Sequence, residues 1–248
     1  MAEYSFPTET IDLPSKGKLY PSDSPLRSGT IDIKYMTAKE EDILTSTNLI
    51  QKGLVLDKLM ESLIVTKGVR PDDLVLGDIN AIVVASRILA YGKDYPIQLM
   101  CSACTTKFEH KVDLSSLDMV SPQEESNNGE YSIQLPTGMN VTFKLLTRGD
   151  EKAIRNEIES LKKINSMVES ESTTRLKYTL TSVNGNRDKK NIRDFAESMI
   201  LRDVRALREQ IKKVSPDVNF DLNINCSDCN HINQVRMPIG ANFFWPDL

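Results

Sequence analysis

All four cysteines of this chain fall in two Cys-x-x-Cys steps, Cys101/Cys104 and Cys226/Cys229. A Cys-x-x-Cys turn brings two thiolates onto one point, and two such turns supply the four soft ligands that a tetrahedral zinc ion takes. Alternating segments lead into both steps, Tyr95-Pro-Ile-Gln-Leu-Met and Phe220-Asp-Leu-Asn-Ile-Asn, and alternating segments leave them. Strand, knuckle, strand is the layout of a rubredoxin-like zinc ribbon. Yet 121 residues separate Cys104 from Cys226, against ~15–20 in a single-domain ribbon. One shared ion would therefore tie two distant segments together as a structural staple, one zinc per chain. Four thiolates close the coordination sphere, whereas a catalytic zinc needs an open position.

Two redox pairs, or buried thiols without metal, are the other readings of these cysteines. A thioredoxin-like pair sits in a βαβ context, and neither knuckle opens a helical pattern. The chain starts at Met1 with no apolar leader, which predicts a reducing compartment without structural disulfides. The two histidines, His110 and His231, both follow a knuckle. His231 could replace a ligand; a solvated place on the exit strand is the simpler role for either.

The 248 residues suffice for one large domain or two small ones, and 40% hydrophobic with 27% charged residues is ordinary globular composition. A net charge of -4 argues against non-specific nucleic-acid binding, which calls for a basic surplus. No apolar run approaches the ~20 residues of a membrane-spanning helix.

Pro14, Pro21 and Pro25 forbid a regular helix near the start. The first segment reads as an extended arm whose Ile11, Leu13, Leu19 and Tyr20 favour docking over a disordered terminus. Thr30 to Met36 alternates as a strand, and Thr37 with Glu40 forms a capping box for the helix that follows. Val55–Val65 carries an amphipathic stripe. A third helix is expected from Ile79 to Tyr91, with Asp78 as N-cap and Gly92 as stop. Residues 121–130 have the composition of an exposed connector. Ile133 to Lys144 reads as a hairpin turning at Pro136 to Gly138. Helices are expected over Thr173–Ser182, Asp188–Asp203 and Asp203–Val214.

The order repeats. Val141–Ile154 aligns without gaps on Ile31–Leu44, matching Lys34/Lys144, Thr37/Thr147 and Glu41/Glu151. Asp203 stands 23 residues before Cys226, as Asp78 stands 23 before Cys101. The expected fold is therefore α+β: two degenerate tandem strand–helix units that share the ribbon. The divisions are an extended arm (1–29), a first unit with its knuckle (30–120), a connector (121–132), a second unit with its knuckle (133–240) and an aromatic tail (241–248).

Catalytic patterns are missing. There is no glycine-rich phosphate loop, His-Glu-x-x-His step or nucleophile elbow, and two histidines give little for general acid–base work. The basic pairs Lys162/Lys163, Lys189/Lys190 and Lys212/Lys213 read as solvated helix faces, and Arg148-Gly-Asp150 as a helix start. The tail sets Phe243, Phe244 and the single Trp, Trp245, beside the end. Such rings pack either on their own core or on a partner. Leu13, Leu19, Tyr20, Phe243, Phe244 and Trp245 are thus the candidate partner-binding residues.

Leu13-Pro-Ser-Lys-Gly-Lys-Leu-Tyr-Pro, Ile31–Leu44, the knuckle after Tyr91-Gly-Lys-Asp-Tyr-Pro and the Phe-Phe-Trp-Pro ending together resemble a family of baseplate proteins. These belong to T-even-type contractile-tailed bacteriophages and act in making the central hub of the baseplate. The resemblance covers nearly the whole chain. It implies a non-enzymatic tail-morphogenesis protein, either an assembly factor (chaperone) for the hub or a part retained in it. Implied partners are other hub or tail proteins, with neither a small-molecule substrate nor a membrane. The implied location is the host cytoplasm during assembly, with the virion baseplate left open. The zinc expectation rests on the cysteine spacing and not on this resemblance. A zinc-ribbon nucleic-acid or transcription-associated module is the alternative the knuckles allow, and a metal-dependent enzyme would need an unfilled ligand position.

Overall fold

The computed structural model describes residues 7–164, 170–237, 239 and 241–244. β1 (Thr8–Asp12) pairs antiparallel with β2 (Thr30–Lys34), setting Ile11 opposite Ile31. Three helices follow, α1 (Ala38–Thr45), α2 (Thr47–Gln51) and α3 (Val55–Leu63), and then the long α4 (Leu76–Tyr91). β3 (Asp94–Met100) and β4 (Lys107–Asp113) make the hairpin of the first knuckle, and β5 (Met119–Val120) leads away from it. β6 (Glu130–Gln134) and β7 (Asn140–Lys144) form the next hairpin. α5 (Arg148–Ile164), α6 (Glu171–Thr179), β8 (Leu180–Val183), α7 (Lys189–Ser198) and α8 (Leu201–Val214) come next. β9 (Asp217–Val218), then β10 (Asp221–Asn225) and β11 (Ile232–Arg236), bring the second knuckle, before a 3-10 turn at Ala241–Phe244. Among the described residues the sheets are small and antiparallel: β1–β2, β3–β4, β5–β9, β6–β7–β8 and β10–β11.

The structure is mixed helix and sheet, as the α+β expectation required. It also repeats one local device. Lys34 donates to Glu40 at 2.7 Å, and the same carboxylate accepts from the Thr37 backbone N–H and hydroxyl at 2.8 and 2.6 Å. At the matching place Lys144 donates to Asp150 at 2.8 Å, and the Thr147 N–H does so at 3.0 Å. Each carboxylate thus holds the last strand residue and the helix start together. Ile31 and Ile33 in β2, like Val141 and Phe143 in β7, point into the core.

A second pair of carboxylates fixes each hairpin over a helix. Asp78 accepts from the Ser15 N–H at 2.9 Å and from the Tyr20 hydroxyl at 2.5 Å. Asp203 accepts from the Thr137 N–H at 3.2 Å and its hydroxyl at 2.5 Å. Ser15 and Thr137 both follow a Leu-Pro step with a buried leucine, Leu13-Pro14 and Leu135-Pro136. Burial and then the adjacent Asp78 charge raise Tyr20 far above an ordinary phenol, so its proton stays in place to donate. The 16-residue stretch from Leu13 to Ser28 also needs Gly17. It sits at φ +72, where a Cβ would lie 2.4 Å from the Arg27 carbonyl oxygen.

Several expectations change here. Asp78 is not an N-cap: the helix starts at Leu76 after Val75, and the Asp78 side chain reaches outward to the loop. The helix expected over Thr173–Ser182 stops at Thr179, because Leu180–Val183 pairs with β7 and buries Leu180 and Val183. The helices expected to meet at Asp203 are α7 and α8, broken at Met199–Ile200. The arm is no appendage, since β1 belongs to the first sheet while Leu13 and Tyr20 lie in the core. The hairpin expected over Ile133 to Lys144 begins earlier, because Glu130 already pairs with Lys144.

The two halves of the chain meet directly. Arg148 donates to the buried Asp57 at 2.7 Å, Lys152 reaches Asp72, and Asn80 donates to Asp217 at 2.8 Å. Gly77 lies against the Pro216 carbonyl so closely that a Cβ would stand 1.8 Å from its oxygen. Phe243 packs on Tyr95 of β3 with ring centroids 5.0 Å apart, and Phe244 meets Phe243 edge-on. Both rings are buried. A side chain committed to its own core has no face left for a partner, so Leu13, Tyr20, Phe243 and Phe244 do not project as anchors. Leu19 is half-buried against the same core, and Trp245 lies outside the described residues.

Two outcomes test this scheme. Asp78→Ala strands buried donors at Ser15 and Tyr20 and is expected to cost about 1–3 kcal/mol in urea unfolding, and Asp203→Ala, whose donor Thr137 is exposed, should cost less. A cost near zero for both would contradict the paired-latch reading. For Glu40, burial opposes ionisation most, but hydrogen bonds from Lys34, Ser62 and Thr37 outweigh it and hold the group down to about 2 from 4.5. An acid depressed on folding stabilises above its unfolded value and loses that contribution as pH falls through its folded value. The stability gap between wild type and Glu40→Gln should therefore narrow from pH 4.5 down to about 2; a constant gap would refute the assignment.

Candidate metal centre

Each knuckle is a hairpin tip built the same way. The Cys101 N–H donates to the Thr106 carbonyl at 2.9 Å, and the Thr105 N–H to the Cys101 carbonyl at 3.0 Å. In the second knuckle Cys226 donates to His231 and Asn230 to Cys226 at the same 2.9 and 3.0 Å. Closing so tight a turn puts the residue after the second cysteine in the left-handed region, Thr105 at φ 60 and Asn230 at φ 58. Asparagine tolerates that conformation, whereas β-branched threonine is strained there.

The two tips meet. All four Sγ atoms lie within 4.8 Å of one another. Cys101 and Cys229 are 3.7 Å apart, as are Cys104 and Cys226. A tetrahedron with zinc–sulfur bonds of ~2.3 Å has edges of ~3.8 Å, so the donor set and its spacing fit a four-coordinate zinc. Cys101 and Cys226 are buried, Cys104 is half-buried and Cys229 is exposed. Both histidines are exposed on the hairpins and stand outside the sulfur cluster.

Electrostatics also call for a cation. The Cys104 amide foremost, joined by that of Ala103, holds the Cys101 thiol down to about 6. Thr106 lowers Cys104. The His231 amide pulls Cys229 the same way, but the Cys104, Cys101 and Cys226 sulfurs and burial prevail and push it up to about 12. Like charges this close do not all ionise unaided, and a divalent ion would neutralise them.

One neighbour escaped the sequence reading. Asn233, in β11 opposite Ile224, is 6% exposed. Its Oδ1 accepts from the Ser102 N–H at 3.0 Å and from the Ser102 hydroxyl at 3.2 Å. Its Nδ2 faces the Cys101 sulfur at 3.8 Å and the Ile224 and His231 carbonyls at 3.4 and 3.2 Å. The available signal was an asparagine at an inward phase of an alternating strand, where an apolar residue belongs.

Elsewhere, several charged groups are engaged in structure. The Arg148-Gly-Asp150 step is divided between Asp57 and Lys144. A cleft of about 410 Å³ at the seam contains Arg175, but both of its terminal nitrogens lie on Glu151. The three lysine pairs are exposed on α5, α7 and α8. No described helix is long and apolar enough to cross a membrane.

The chain matches the T4 bacteriophage base plate protein family over residues 6–245. It belongs to that family, in agreement with the resemblance carried by its sequence, and the nucleic-acid alternative gains no support. Neither a curated protein nor a solved structure gives a significant match.

The geometry makes one prediction independent of metal. Mild oxidation of the metal-stripped chain should join Cys101 to Cys229 and Cys104 to Cys226, read by peptide mapping. Recovery of only Cys101–Cys104 and Cys226–Cys229 disulfides would contradict the arrangement of the tips.

Proposed function

We propose that this phage baseplate protein is non-enzymatic and serves the central hub, as a component or as its assembly factor. In this reading its two units descend from a tandem duplication. One structural zinc on Cys101, Cys104, Cys226 and Cys229 staples them in a rubredoxin-like ribbon. The observation that carries it is the meeting of four sulfurs from knuckles 121 residues apart in sequence. The repeated carboxylate devices around Glu40/Asp150 and Asp78/Asp203 support the duplication. Four thiolates leave no open ligand position for substrate, which supports a structural ion. Partners are other hub or tail proteins, met in the host cytoplasm during assembly. With most of the expected anchors buried, exposed apolar residues such as Met100 and Ile232 beside the knuckles and Leu201 at the start of α8 are the candidate contacts.

Purified protein should contain one zinc per chain with sulfur at ~2.3 Å by X-ray absorption. Cys226→Ser should lose the metal and speed hydrogen exchange in both β3–β4 and β10–β11. Full zinc retention by that variant, or loosening of one hairpin alone, would remove the staple. Comparing virions with infected-cell lysate by mass spectrometry separates a retained hub component from a factor that leaves. Normal hub assembly by phage lacking the protein would overturn the assembly role altogether.

A further inference from the structure

We infer that Asn233 sets the zinc affinity of the cysteine quartet by locking the first knuckle to the second, as a positioning residue and not a ligand. The inference rests on the zinc reading above and concerns a residue outside the ligand set.

A buried amide must be hydrogen-bonded to be tolerated, and Asn233 has a partner on each side. Its orientation follows from chemistry. The Ser102 backbone N–H only donates, so the atom facing it at 3.0 Å is the amide oxygen. The NH2 group is then directed at the Cys101 sulfur and at two carbonyls, all of which accept. The reverse orientation would set donor against donor at Ser102 and oxygen against sulfur at Cys101.

Two effects on the metal follow. Ser102 lies between the ligands Cys101 and Cys104, while Asn233 lies beyond Cys229. Their bond joins the knuckles without passing through the ion, so less freedom is lost when the ion binds. The N–H directed at Cys101 also holds that sulfur in place toward the other three. The lock is one-sided. The residue 125 positions earlier is Phe108, whose ring offers no amide to Ser227, the counterpart of Ser102. Repetition of the fold therefore does not account for Asn233.

The test uses the full chain with Asn233→Asp, Asn233→Ala and Ser102→Ala, reading zinc by competition with a chromophoric chelator. Partners of this kind typically change metal affinity 10–100-fold, and that loss is expected for both Asn233 variants at an unchanged one-zinc capacity. Asn233→Asp should be the weaker, since it sets a carboxylate against the Cys101 sulfur. Ser102→Ala keeps the backbone N–H and should change affinity far less. In the cobalt-substituted protein, the sulfur-to-metal charge-transfer band should move in Asn233→Ala. Unchanged affinity and an unmoved band in the Asn233 variants, with zinc bound normally by wild type, would overturn this inference alone. A wild type that takes no zinc would overturn the metal reading with it. If the variants fail to fold, the Ser102 amide of wild type decides. Slow exchange after metal stripping supports the lock, and exchange at the rate of an open loop overturns it.

Discussion

Buried carboxylates with several donors around them organise this chain. Asp78 and Asp203 each stand in the first turn of a helix and reach a Leu-Pro-Ser or Leu-Pro-Thr loop on the hairpin of their own unit. A carboxylate taken from water is costly unless its oxygens are matched by donors, so each hairpin has one low-energy seat. The knuckles follow from that seat. α4 runs directly into β3 and the first Cys-x-x-Cys, and α8 runs through β9 and β10 to the second. Fixing the helix therefore fixes where its cysteines are delivered.

The seam between the units is made of unlike contacts. An ion pair at Arg148–Asp57, an amide–carboxylate bond at Asn80–Asp217, a glycine against a carbonyl and a Tyr95–Phe243 ring contact all cross it. The cysteine quartet is a further crossing point. A staple at the hairpin tips suits such a seam, because thin two-stranded hairpins are marginal alone and gain most from a fixed tip. For a phage baseplate protein, firmly joined halves present partners with one surface.

The aromatic tail takes one of the two places open to it. Phe243 and Phe244 could pack on their own core or on a partner, and they fill the core beside Tyr95. The N-terminal segment behaves likewise, with β1 completing a sheet and Leu13 and Tyr20 buried. Prolines and turn residues in that stretch describe a loop correctly, and the loop is packed inward by its bond to Asp78.

Local chemistry was readable in the sequence. The Thr37–Glu40 helix start, the stop at Gly92, the strands flanking each knuckle and the matched Lys34/Lys144 positions depend on neighbours a few residues away, and patterning records such neighbours. The spacing of two Cys-x-x-Cys steps also pointed to one four-sulfur site. Tertiary structure decided the rest. It turned Leu180–Val183 into a strand because β7 offered an open edge. It gave the Asp78 side chain to a loop some 60 residues away in sequence. It brought Asn233 against Ser102, a pairing that no spacing rule contains. Contacts between distant segments depend on which surfaces meet after each unit has folded, and a linear pattern carries no measure of that distance.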